Sequence, residues 1–182
     1  MPTWLWVVIV VAAVVVIAAV VAAAMRSRRS RGLQERFGSE YDRVAADAPS
    51  RRQAEAELRE REKRRDELDI RPLDAGDRDR YRSRWQDLQA RFVDDPPGAV
   101  AEADVLIQEV MRARGYPVDD FDTRAADLSV DHPDVVENYR AGHGIAVAHA
   151  RGNAGTDELR HAVRHFRALF ESLVDDRQEV RS

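Results

Sequence analysis

The chain has 182 residues, a formal net charge of −4 and no cysteine. The lack of cysteine excludes disulfides, thiolate metal sites and cysteine nucleophiles. Residues 1–31 contribute four arginines and no acid, so residues 32–182 carry a net charge of −8. A domain of that charge lacks the basic face of a nucleic-acid-binding protein, and we expect no nucleic-acid partner.

The first long segment, Trp4–Met25, contains no charged side chain. A helix over this segment would be about 33 Å long, close to the thickness of the hydrocarbon core of a bilayer. We predict one N-terminal transmembrane helix in the plasma membrane, with Trp4 and Trp6 at its outer interface. Because the basic residues follow the helix, we expect an N-terminus outside and a cytoplasmic domain over residues 32–182. The basic flank consists of Arg26, Arg28, Arg29 and Arg31.

Two alternatives concern this segment. A cleaved signal peptide would have a basic n-region and a shorter apolar core, whereas this chain begins Met1-Pro2-Thr3 without a positive residue, although Ala22-Ala23-Ala24 imitates a cleavage site. Ala12, Ala19 and Ala23 fall near one helix face and would allow a homodimer through the anchor. Alanine is also common throughout this chain, which is the simpler explanation of that stripe.

Residues 32–70 are predicted to form a juxtamembrane helix and a charged helical spacer. Leu33, Phe37, Tyr41 and Val44 recur at helical spacing, with Gly38 as an interruption after which Ser39 would cap a new helix. Residues 51–69 are nearly all charged and carry few apolar anchors, after a Ser50 cap. Such a helix either acts as a spacer or coiled-coil partner, or lies solvated on the domain.

Residues 71–182 are predicted to form a small helical bundle, because no segment alternates with a period of two. We expect helices over about 74–92, 97–114, 119–128, 133–150 and 156–174, and five or six helices in the whole cytoplasmic part. The helix over 97–114 has the widest apolar arc and should be the most buried. Trp85 is expected in the core. The predicted caps are Asp74, one of Asp94 and Asp95, Gly115, Asp119, Asp131 and Thr156.

Five histidines lie between residues 132 and 165. His161 and His165 stand four residues apart, the spacing of a helical metal-binding pair, and His143 is a third candidate. The pair lacks the glutamate of the zincin motif, and the intervening Arg164 would repel a cation. We therefore predict no metal site and no cofactor, and regard His143 as a neutral core histidine.

Several short stretches are shared with a known group of sequences. They are Arg36-Phe37-Gly38 with Glu40-Tyr41-Asp42, Ile70-Arg71-Pro72-Leu73, Arg91-Phe92-Val93-Asp94-Asp95-Pro96, Arg114-Gly115-Tyr116-Pro117-Val118 and Leu128-Ser129-Val130-Asp131-His132-Pro133. Over most of residues 33–175 the chain resembles uncharacterised, single-anchor membrane proteins of actinobacteria. The resemblance implies an anchor followed by a helical domain, and it supplies no catalytic residues.

Two hypotheses on function follow from the sequence. The first is a membrane-tethered cytoplasmic interaction or scaffold protein without catalytic activity, which binds another protein through its helical domain. The second is a ligand- or metal-responsive regulatory domain or enzyme, which requires His143, His161 and His165 to converge with Tyr139 on one pocket. No Walker loop, Rossmann fingerprint or nucleophile elbow favours an enzyme.

Overall fold

The computed structural model describes the backbone of residues 3–175, and the side chains of that range other than those of residues 3, 5–11, 22 and 26. Every regular element in this range is an α-helix, which confirms the all-α class. Seven helices follow the first within residues 39–175, against the five or six expected. The helices are α1 (Thr3–Phe37), α2 (Ser39–Asp47), α3 (Arg51–Asp66), α4 (Ala75–Arg91), α5 (Pro96–Arg114), α6 (Phe121–Asp131), α7 (Pro133–Ala150) and α8 (Thr156–Asp175).

The first helix does not end at the basic flank. It runs through the predicted boundary after Arg31 and ends at Phe37, because Gly38 takes a positive φ of 49°, which residues other than glycine rarely adopt. Phe37 is fully buried and Leu33 is 5% exposed, so the end of α1 is part of the folded domain. The predicted Ser39 cap is wrong, since Gly38 precedes α2 and no side chain caps it.

The N-terminal part of α1 exposes large apolar side chains. Trp4 is 63% exposed, and residues 14–17 are exposed to a similar degree. The side chains of Trp6 and Arg26 lie outside the described residues, whereas Arg28, Arg29 and Arg31 are exposed. Among the side chains that the structure describes, no helix is both long enough and apolar enough to cross a membrane.

Local capping chemistry accounts for most of the other helix boundaries. The side chains of Ser50 and Asp74 each accept a hydrogen bond from the backbone N–H three residues on, as predicted. Of Asp94 and Asp95, the structure selects Asp95, which accepts from Gly98 N–H in the same way. Gly115 ends α5 with φ of 95°. Helix α6 is capped by Asp120 and not by Asp119, with Thr123 N–H as the donor.

The larger apolar cluster lies between α4, α5, α7 and α8. Helix α8 packs against α7, α5 and α4. Helices α5 and α8 bury equal numbers of residues, so α5 shares with α8 the rank of most buried helix that was predicted for it alone. Trp85 is 4% exposed and stacks on Phe170 with 4.6 Å between ring centroids, which confirms its place in the core.

The smaller cluster joins the end of α1 to three other helices. It contains Leu33, Phe37, Tyr41, Val44, Ala54, Leu58 and Val130. Helix α3 packs on α2 and α6 and does not stand apart as a spacer. Residues 32–70 therefore form an arm that lies against the bundle.

Candidate functional site

A set of buried and partly exposed charged side chains connects this arm to the bundle. We call it the ion-pair layer, and it consists of Glu40 (α2), Arg61, Arg64 and Arg65 (α3), Asp127 and Asp131 (α6) and Arg140 (α7). Glu40, Arg61 and Asp127 are 2%, 5% and 0% exposed. Burying charge is costly unless each group finds a partner of opposite charge, so the pairing within the layer decides how firmly the arm is held.

The burial of these residues has a simple origin in the sequence. Glu40 lies four residues before Val44 on α2, and Arg61 lies three residues after Leu58 on α3. Residues at these spacings share one face of a helix, so both charged groups lie on apolar stripes. A charged residue that interrupts an apolar stripe is the signal in the sequence that could identify such a buried charge.

Glu40 is the centre of the layer. Its Oε1 accepts hydrogen bonds from Arg61 Nη1 at 2.7 Å, Arg140 Nη2 at 2.8 Å and Arg43 Nη2 at 2.8 Å. Burial by itself would raise the pKa of Glu40, but the three guanidinium groups outweigh it and lower the pKa to about 2. The carboxylate therefore stays charged at neutral pH and holds α2, α3 and α7 together.

Arg61 extends the contact to α6. Its Nη1 also donates to Ser129 Oγ at 3.2 Å, and its Nη2 pairs with Glu57 one turn earlier on α3. Ser129 Oγ in turn donates to the carbonyl of Ala126 at 2.6 Å. The Arg61 guanidinium thus contacts groups from α2, α3 and α6 at one point.

A second pair in the layer lies at the end of α6. Arg65 Nε is 2.8 Å from both carboxylate oxygens of Asp131, and Tyr116 OH donates to Asp131 Oδ2 at 2.6 Å. Burial and the Asp131 charge both raise the pKa of Tyr116, which stays a neutral donor. These bonds occupy Asp131, so the predicted Asp131 cap of α7 is wrong. The residue before α7 is His132, whose Nδ1 lies 2.8 Å from Ser172 Oγ.

Asp127 is the weakly compensated member of the layer. Arg64 Nε lies 3.3 Å from its Oδ1, but neither carboxylate oxygen has a hydrogen bond within the described residues. Burial raises the pKa of Asp127, and the nearby Arg64 and Arg61 only partly oppose that effect. Asp127 and Glu40 are thus two buried carboxyls in one layer whose pKa values are shifted in opposite directions.

The structure does not bring the candidate histidines together as a ligand set. The His143 ring stacks on Phe121 with 3.7 Å between centroids, and burial lowers its pKa. His165 Nδ1 is 2.8 Å from Asn138 Oδ1, and His161 is exposed. Among the described side chains, no group of three or more His, Asp or Glu residues is arranged to hold a metal ion.

Comparisons with protein-family models, curated proteins and solved structures found no match to the chain. The resemblance to single-anchor actinobacterial proteins therefore stays a prediction.

Proposed function

We propose that the chain is a single-pass membrane protein that holds an acidic helical bundle in a fixed orientation at the cytoplasmic face of the plasma membrane. It acts by binding another protein and not by catalysis. One observation carries the proposal: α1 is continuous from the apolar run to Phe37, whose side chain is fully buried in the domain. The apolar segment and the domain are thus joined by a helix and not by a flexible linker.

The membrane anchor is supported by the sequence of residues 4–25, part of whose side chains lie outside the structural description. A run of this length without a charge is typical of a transmembrane helix. The exposed apolar side chains of residues 14–17 also favour a lipid environment, because a soluble protein rarely leaves such a contiguous surface in water. The orientation, with the bundle inside, follows from the basic flank.

The ion-pair layer supports a role that depends on geometry. Arg61 and Arg140 pair with Glu40 and join α3 and α7 to α2, and Arg65 pairs with Asp131 and joins α3 to α6. Buried ion pairs contribute little net stability compared with apolar packing, and specifying one arrangement is their better-supported use. A tether that also fixes orientation raises the local concentration of one face of the bundle for a partner in the same membrane.

The anchor and the partner are tested separately. Deletion of residues 2–25 should move the protein from the alkali-resistant membrane pellet to the supernatant, and reporter fusions at both termini should place only the N-terminus outside. Photo-crosslinkers at exposed bundle positions should give a discrete adduct in native membranes, which the deletion variant should fail to form. Pelleting without the anchor, or the absence of any discrete adduct from a full scan of the bundle, would refute the corresponding half of the proposal.

The histidine hypothesis gains no support from the structure. His143 stacks on Phe121, His165 contacts Asn138 and His161 is exposed, so the three side chains have different surroundings.

A further inference from the structure

The arm folds back toward the basic flank of α1. Ser30 Oγ donates to Glu55 Oε1, and Arg36 Nη1 donates to Glu62 Oε1 at 3.0 Å. The later residue of α1 contacts the later residue of α3, so α3 runs parallel to the last part of α1. Helix α2, which lies between them in sequence, returns the chain toward the apolar segment.

The pairing of Ser30 with Glu55 fixes the level of α3, by which we mean its position along the axis of α1. Arg51 and Arg52 precede Glu55 by four and three residues, which is about 6 and 4.5 Å along a helix. Ser30 follows Met25, the last residue of the apolar run, by about 7.5 Å. The start of α3 therefore lies beside the basic flank, about one residue's rise below the end of the apolar run.

The side chains at this level are mostly positive. Arg28, Arg29, Arg31 and Arg52 are exposed, and the Arg51 side chain is 62% exposed while its Nε bonds Tyr41 OH at 2.8 Å. Arg52 has no partner among the described side chains.

Two acids lie at the same level. The Glu55 side chain is only 8% exposed, and its carboxylate is bonded by Ser30, Tyr41, Arg51 and Arg59. Asp47 is exposed and pairs with Arg43 at 3.2 Å. The surface thus keeps an excess of positive charge in a domain that is otherwise strongly acidic.

We propose that Arg51 and Arg52 form, with Arg28, Arg29 and Arg31, one basic surface that binds the headgroups of anionic phospholipids. The inference rests on the membrane anchor of the proposed function. A planar guanidinium matches the phosphate oxygens, and attraction to an anionic leaflet acts within about one Debye length, roughly 8 Å at physiological salt. The α2–α3 turn would then sit on the lipid surface, with the acidic bundle repelled away from it.

The chain has no cysteine, so a single labelling site can be introduced in the full-length protein. Pro49→Cys, in the exposed α2–α3 turn, is labelled with an environment-sensitive fluorophore and reconstituted into phosphatidylcholine vesicles with or without phosphatidylglycerol. Both preparations contain a lipid that carries a quencher on its headgroup. Quenching should be at least twofold stronger with phosphatidylglycerol and should weaken as salt is raised.

Two matched double variants each replace two arginines by glutamates, one pair at the start of α3 and the other on α8. R51E/R52E should abolish the extra quenching, while R164E/R167E, with the same change in charge on exposed α8 positions, should retain it. R52E alone should lose about half, and it tests the same surface if circular dichroism shows that the double variant is unfolded. Equal quenching in the two lipid mixtures, or equal loss in both double variants, would overturn the proposal.

Flotation of the same vesicles after alkaline washing separates the two proposals. Failure of the unlabelled chain to float with the vesicles would refute the membrane anchor and, with it, the proposed function. Flotation without any dependence of quenching on phosphatidylglycerol would remove the basic surface alone.

Discussion

Replacing Glu40 by glutamine tests how strongly the ion-pair layer holds the arm. The pKa of Glu40 is lowered from its ordinary value of 4.5 to about 2, which corresponds to about 3 kcal/mol of favourable interaction of the charged form. The variant also removes one of the two acidic partners of Arg61, which is 5% exposed and keeps only Glu57. We expect E40Q to lower the free energy of unfolding at pH 7 by about 3 kcal/mol, in the range measured for broken buried pairs.

The dependence on pH gives the sharper measurement. A carboxyl with a lowered pKa in the folded state contributes its full stabilisation above its unfolded pKa, and the contribution is lost as pH falls from about 4.5 through 2. Wild type and E40Q should therefore differ most above pH 5 and converge near pH 2. Urea titrations of the full-length chain in detergent, followed by circular dichroism at a series of pH values, measure this difference.

Asp42→Asn is the matched control, since Asp42 is exposed on the same helix two residues away. D42N should change the free energy of unfolding by less than about 0.5 kcal/mol, as surface substitutions do. In thermal melts E40Q should lower Tm by about 6–12 °C, the shift expected for 3 kcal/mol in a domain of this size. If E40Q and D42N have equal stability and parallel pH profiles, the reasoning about Glu40 is refuted.

Two further predictions concern the layer and the bundle. Asp127→Asn should leave the free energy of unfolding at pH 7 unchanged or raise it, because burial raises the pKa of Asp127 and Arg64 compensates its charge poorly. Wild type should lose stability relative to D127N as pH rises above about 4. A loss of stability in D127N at pH 7 as large as that in E40Q would contradict this prediction. Gly142→Ala should cost about 1–3 kcal/mol, because the added Cβ would lie 2.8 Å from two ring carbons of Phe166. Gly144→Ala is the control, because its added Cβ would have no other atom within 4 Å, and it should leave the free energy of unfolding unchanged or raise it by up to about 1 kcal/mol in the same urea titration. Equal effects at the two glycines would show that the contact with Phe166 relaxes.

Local chemistry made the helix boundaries predictable. Ser50, Asp74 and Asp95 each stand three residues before the N–H that they cap, and this spacing is visible in the sequence. The capping pattern does not decide between two adjacent acids, as at the start of α6, because Asp119 and Asp120 each stand three residues before another helical N–H. It failed at Asp131 because a distant arginine, Arg65, occupies that carboxylate.

The candidate site could not be predicted in the same way. Glu40 and Arg140 are 100 residues apart in sequence, and the chain offers 29 Lys and Arg residues and 33 Asp and Glu residues as possible partners. Pairing is decided by which helices pack together, and helix packing depends on apolar faces that several arrangements satisfy. The charge of residues 51–69 therefore favours a spacer, although Ala54, Leu58 and Arg61 on one face place the helix against the bundle.

The unbroken helix from the apolar run to Phe37 has a mechanical consequence. Each residue of an α-helix turns the chain by about 100° and advances it by about 1.5 Å. One extra residue between positions 26 and 31 would therefore rotate the whole bundle about the axis of α1 by about 100°. Four extra residues would complete one turn and leave the bundle about 40° from its original orientation. The number of residues in this segment, and not only their composition, would determine which side of the bundle faces neighbouring proteins in the membrane.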